Sequence, residues 1–154
     1  REDGEAMIRK VKYSSTSIDS GKSIRQISYL LREVGADRFA VLQDIKKGRV
    51  GIQFFFKEQA VELIIDVNAI EERLKTSANR PSMRGPDAAE RVAFRLLLNW
   101  LENNFELVRW GVVDTMEVFL PYLVLPTGGT LRELLVPTGP DGVRRLALPE
   151  AKKG

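Results

Sequence analysis

From Pro86 to Trp110 (PDAAERVAFRLLLNWLENNFELVRW) apolar residues recur with the helical period. Arg91, Arg95, Asn99, Glu102, Asn103, Glu106 and Arg109 gather on one side of that helix. Ala93, Phe94, Leu96, Leu97, Leu98, Trp100, Leu101, Phe105, Leu107 and Val108 fill the rest. The apolar arc spans roughly 200°, about twice what a surface helix needs, and predicts a helix covered on two sides, by a sheet and by a second element. Asp87 with Glu90 predicts a capping box at its start, and Gly111 predicts a left-handed stop at its end.

The remaining periods are shorter. Met7–Tyr13 alternates as a short strand around Ile8 and Val11. Lys22–Val34 carries one narrow stripe, Ile24, Ile27, Leu30, Leu31 and Val34, before Gly35, so it predicts a helix packed on one side only. Between Arg38 and Val67 the period becomes two. Strands over Arg38–Asp44, Val50–Lys57 and Ala60–Val67 predict an antiparallel meander with turns at Lys46–Arg49 and Lys57–Gln59. Its inner face holds Phe39, Val41, Ile52, Phe54, Phe56, Val61, Leu63 and Ile65. The outer face shows Leu42, Phe55 and Ile64 among Gln53, Lys57, Glu62 and Asp66.

Asn68–Lys75 predicts a short helix and Thr76–Gly85 an exposed loop. Val112–Leu120 predicts a helix ended by Pro121, with Val113, Met116, Val118, Phe119 and Leu120 covering the second side of the long one. Tyr122–Leu125 is extended, Thr127–Thr130 is a turn, and Leu131–Val136 fits helix or strand. The expected fold class is therefore α+β. A three- to four-stranded antiparallel meander packs against a long, mostly buried helix and shorter helices, within a single domain over 7–136. Residues 1–6 are expected to be a leader ahead of Met7, and 137–154 a partly disordered tail.

Composition narrows the chemistry. The chain has 154 residues, 44% of them hydrophobic, enough for one core. It has no membrane-length apolar run and no signal-peptide core, so a cytoplasmic location is expected. There is no cysteine and no histidine. That excludes thiolate chemistry, histidine-based triads and nearly every zinc site, and neither a cofactor nor catalysis is expected. The net charge of +3 and pI near 9.3 are compatible with nucleic-acid binding.

Candidate binding residues fall in three places. Lys22, Arg25, Tyr29 and Arg32 share one helix face within about 80° of arc, which suits phosphate tracking with a stacking platform; the plainer alternative is a solvated basic face. Lys46, Lys47 and Arg49 form a cationic turn that could grip phosphate or simply be a soluble loop tip. Lys75, Arg80 and Arg84, with Arg73, make a basic arm free of acids between Arg73 and Pro86. Gly21-Lys22-Ser23 lacks the upstream glycine of a P-loop, since Thr16 stands there, and that motif is rejected. Glu62 and Asp66 on one strand suggest a metal-dependent nuclease, a helix–meander–helix order similar to that of restriction-endonuclease-like nucleases. However, the Glu-x-Lys of that group is missing.

The spacing of Ala89-x-x-Val92-Ala93-Phe94-Arg95, Trp100, Gly111 and Phe119-Leu120-Pro121-Tyr122-Leu123 resembles a group of small bacteriophage and integrated-element proteins. The resemblance brings no activity or site residues; it implies a mobile-element setting, where small proteins often serve DNA replication, recombination or host takeover. The resulting expectation is a non-catalytic nucleic-acid-binding accessory protein, with single-stranded DNA favoured as partner. It is expected to form a homo-oligomer, through Leu42, Phe55 and Ile64 or through the long helix. The alternative is a protein-interaction module with no nucleic-acid role, and the nuclease stands third.

Overall fold

A central strand, β2 (Arg49–Phe56), buries every second residue: Val50, Ile52, Phe54 and Phe56 are all at most 5% exposed. It is flanked by β1 (Asp37–Asp44) and β3 (Gln59–Asp66) in an antiparallel sheet of order β1-β2-β3. These and the elements below belong to a computed structural model, described here over residue 13 and residues 16–77 and 84–135. Residues 1–6, the expected strand except Tyr13, Arg80 and residues 137–154 lie outside the described residues.

The register puts Ile52 beside Leu63 and Phe54 beside Val61 on the core face, and Gly51 between Leu42 and Ile64 on the other. A bulge between Asp37 and Ala40 adds a residue to β1 near its start. Strand limits match the period-two reading to within a residue. Val41 departs from it: an inner-face position on an edge strand, it stays 44% exposed.

Three longer helices cover the core face: α1 (Ser20–Glu33), α2 (Val67–Ser77) and α3 (Pro86–Arg109). Asp66 starts α2, its Oδ1 accepting from the Asn68 and Ala69 amides at 2.9 and 3.3 Å. The start of α3 differs from expectation. Gly85, at φ +90°, occupies the cap and Pro86 the first turn, with no side-chain cap bond, so Asp87 and Glu90 are not used as a box. Its end follows expectation: Gly111 at φ +73° directs its amide to Val108 O, and the Val112 amide reaches Leu107 O.

Beyond α3 come α4 (Thr115–Phe119), a 3₁₀ turn (Leu120–Tyr122) and α5 (Leu131–Leu135). A capping box, Asp114 with Glu117, opens α4. Phe119, fully buried, sits edge-on to Phe54, Phe56 and Phe105 with centroids 4.9, 5.5 and 5.9 Å away. This is the second cover the wide arc of α3 requires. Leu123 then bridges Val61, placing a short extended segment against one end of the β3 edge.

The helices α1 and α3 run in the same direction. Arg91 Nε lies 3.5 Å from Thr16 O, Arg95 Nη2 3.5 Å from Gln26 Oε1, and Arg109 Nη2 3.2 Å from Glu33 Oε2. Gln43, near the end of β1, bonds Glu90 near the start of α3 at 3.3 Å. The start of α1, the β1–β2 turn and the start of α3 therefore share one end of the domain.

Candidate nucleic-acid interface

On α1 the burial of Ile27 and Leu31 against α3 fixes which face is outward. Helical spacing then sends Lys22, Arg25, Tyr29 and Arg32 to solvent, and all four are exposed. Tyr29 is 59% exposed, with the Arg32 guanidinium 5.8 Å from its ring centroid. Among the described residues, Lys22, Arg25 and Arg32 make no ion pair. Glu33, the nearest acid in sequence after Arg32, is engaged by Arg109.

The strip gains a member that the spacing of α1 could not reveal. The chain reverses through Gly35, and Arg38, itself at φ +51°, comes beside Arg32 across a cavity of about 270 Å³ that Asp37 also lines. The Arg38 guanidinium lies 4.4 Å from the Phe55 ring centroid and 4.0 Å from Asp37 Oδ1. Its only sequence signal is the helix stop itself, since the bend after Gly35 decides where the next cation points.

The turn residues stand at the far end, near Lys22. Lys46 and Lys47 are exposed, but the tip is fixed: the Lys47 amide donates to Asp44 Oδ1 at 3.0 Å, and the Val67 amide to Gly48 O at 2.8 Å. Arg49 points to the outer face of the sheet, 3.8 Å from Asp44 Oδ2. Lys75 is held by Glu72 at 2.8 Å, which by hydrogen bond first and charge second raises the ammonium above its ordinary pKa. Arg84 is exposed just before α3, at the same end as Lys22 and the turn. The basic residues thus divide into a strip on α1 with no ion pair among the described residues, continued by Arg38, which Asp37 partly answers, and a second group in which Arg49 and Lys75 are held by carboxylates.

The acids proposed for metal chemistry have structural partners. Asp66 caps α2, and Glu62 Oε2 accepts from Gln53 Nε2 at 3.4 Å. The outer apolar residues Leu42, Phe55 and Ile64 are half-buried, with Arg38 over Phe55. Large exposed apolar residues gather instead at the end of α3, where Leu107, Trp110 and Val112 are 44%, 79% and 66% exposed.

Compared with protein-family models, with curated proteins and with solved structures, the chain matches none. Among the described residues no helix is long and apolar enough to cross a membrane.

Proposed function

We propose that the protein is a non-catalytic nucleic-acid-binding protein that holds single-stranded DNA along the outward face of α1. The observation that carries this reading is the exposed Tyr29 ring set among Lys22, Arg25 and Arg32, cations with no carboxylate partner among the described residues. Unpaired cations spaced along one face neutralise successive phosphates, while an exposed ring offers a sequence-tolerant surface for a base. Arg38 extends the strip, and the Lys46–Lys47 tip lengthens it at the other end. Phosphate contacts supply most of the affinity.

The test is a titration of a fluorescent oligothymidylate at several salt concentrations. With about four phosphates neutralised, the slope of log K against log salt is about −3, so affinity falls about fifty-fold between 50 and 200 mM salt. Arg25→Glu with Arg32→Glu removes about half of that slope. Tyr29→Ala weakens binding about tenfold and leaves the slope unchanged. Binding that ignores these substitutions, or no binding at low salt, removes the reading.

A second reading rests on a different surface. Leu107, Trp110 and Val112, joined locally by the bonds that close α3, suit self-association between copies of the chain. Sedimentation velocity then shows an oligomer that Trp110→Lys reduces to a monomer with unchanged helix content. A monomeric parent protein at high concentration rejects it.

A further inference from the structure

We infer that the outer edge of β3 takes an added strand from a partner peptide in which basic and apolar residues alternate. This does not rest on the nucleic-acid reading. The Leu123 segment covers only the start of that edge: the Val124 amide bonds Ala60 O at 2.9 Å, and past Val61 no described strand pairs with it. Since Ala60 turns its carbonyl outward, strand geometry turns the main-chain groups of Glu62, Ile64 and Asp66 outward as well. An incoming strand pairs with them through about four main-chain hydrogen bonds.

The two faces beside that edge differ in chemistry. On the core side lies an apolar groove of about 440 Å³, walled by Leu63, Ile65, Leu96, Trp100 and Tyr122. Trp100 and Tyr122 meet edge-on at 5.4 Å and form one wall. On the outer side lie two adjoining clefts of about 370 and 380 Å³, sharing Arg49, Glu62, Ile64 and Glu133. There Asp44, Glu62, Asp66 and Glu133 outnumber Arg49 and Arg132, so the clefts are acidic. The open edge runs between the two, because Ile64 lines all three spaces.

Strand alternation turns this into a specificity. A residue opposite Ile64 points its side chain to the acidic side, and its two neighbours, opposite Leu63 and Ile65, point into the apolar groove. The occupant therefore carries lysine or arginine flanked by apolar residues. A second β3 does not fit. In a twofold pairing centred on Ile64, Glu62 would stand opposite Asp66 of the other copy, twice over, and like charges across a pair repel.

The probe is the blocked heptapeptide Thr-Lys-Val-Lys-Val-Lys-Thr, compared with the same peptide carrying Glu for Lys and with one N-methylated at the central lysine. Binding to the full chain is followed by amide shifts and hydrogen exchange. The lysine peptide is expected to bind about tenfold more tightly than the glutamate peptide and to slow exchange at the Ile64 amide. N-methylation costs about tenfold, because it removes a main-chain donor. Glu62→Gln narrows the preference to about threefold and leaves the fold unchanged. Equal binding of the two charge patterns, indifference to N-methylation, or shifts remote from β3 overturns the inference. So does an Ile64 amide already protected in a self-associated free protein, since the edge would then be filled by this chain, whose own Lys10-Val11-Lys12-Tyr13 has the same alternation.

Discussion

Replacing Phe119 with alanine is expected to cost the domain about 4 kcal/mol, a large part of the roughly 5–15 kcal/mol that holds a domain folded. The ring is fully buried and touches rings from three directions: Phe54 and Phe56 of β2 and Phe105 of α3. Truncation removes the transfer energy of the ring and leaves a void where sheet and long helix meet, which neither can close without moving the other. The interplanar angles of 69°, 69° and 86° place ring edges against ring faces, and such pairs add about 0.5–1.5 kcal/mol each beyond area, though not additively. Phe119→Leu, which keeps most of the volume, is expected to lose about 1.5 kcal/mol. Urea unfolding followed by fluorescence reads both as midpoint shifts at constant slope. A Phe119→Ala loss below about 1 kcal/mol would mean that this ring does not join the two layers.

Much of that core is legible in the sequence. The period-two stretch from Arg38 to Val67 identifies Ile52, Phe54, Phe56, Val61 and Leu63, all buried, and the order of the strands follows from their short turns. The wide arc on α3 correctly demands a second cover, and Phe119 is among the residues expected to supply it. Periodicity cannot say how far that cover extends. Val118 and Phe119 are buried, whereas Leu107, on the same helix as the buried Leu101 and Phe105, and Trp110, just past its end, remain exposed. The helix start is misread for a definite reason. Asp87 and Glu90 have capping spacing, but a proline at the first position needs no donor satisfied there, and Gly85 alone can take φ +90°. The same spacing rule does apply at Asp114–Glu117 and at Thr130–Glu133, where both halves of a box form.

The candidate sites are less legible, because charge pairing is decided one helical turn away or across the fold. From Arg73 onward the arm contains no acid, yet Glu72 lies one turn back from Lys75 and claims it. Arg109 looks like an unpartnered cation on the polar side of α3. It is bound by Glu106 on its own helix and by Glu33 of α1, and these two, the first more strongly, raise its pKa above the ordinary value. Only the parallel packing of α1 and α3 brings Glu33 there. Glu33, the acid next to Arg32 in sequence, is thus engaged across the fold, and as an i+1 neighbour it does not face Arg32 on the helix.

Gly51→Ala is expected to destabilise the domain by about 3 kcal/mol, against the usual gain when alanine replaces glycine inside a strand. The position is ordinary by pattern, an outer-face residue on β2 between Leu42 and Ile64. Its surroundings are not. A Cβ there would run into the Leu63 carbonyl oxygen and stand 2.9 Å from Ile64 Cα and 2.9 Å from Ile64 Cδ1. The first two are backbone atoms, so no rotamer change relieves the clash and β2 must draw away from β3. Because β2 is the central strand, that shift also disturbs the ladder to β1. It further moves Ile64, whose main chain forms the open edge proposed for strand addition. Two readouts separate the outcomes. Chemical denaturation gives the loss of stability, and hydrogen exchange at Ile52 and Leu63 reports whether the β2–β3 ladder loosens before the rest of the domain. If Gly51→Ala leaves stability equal or higher and exchange unchanged, the close approach of the two backbones at this point is refuted.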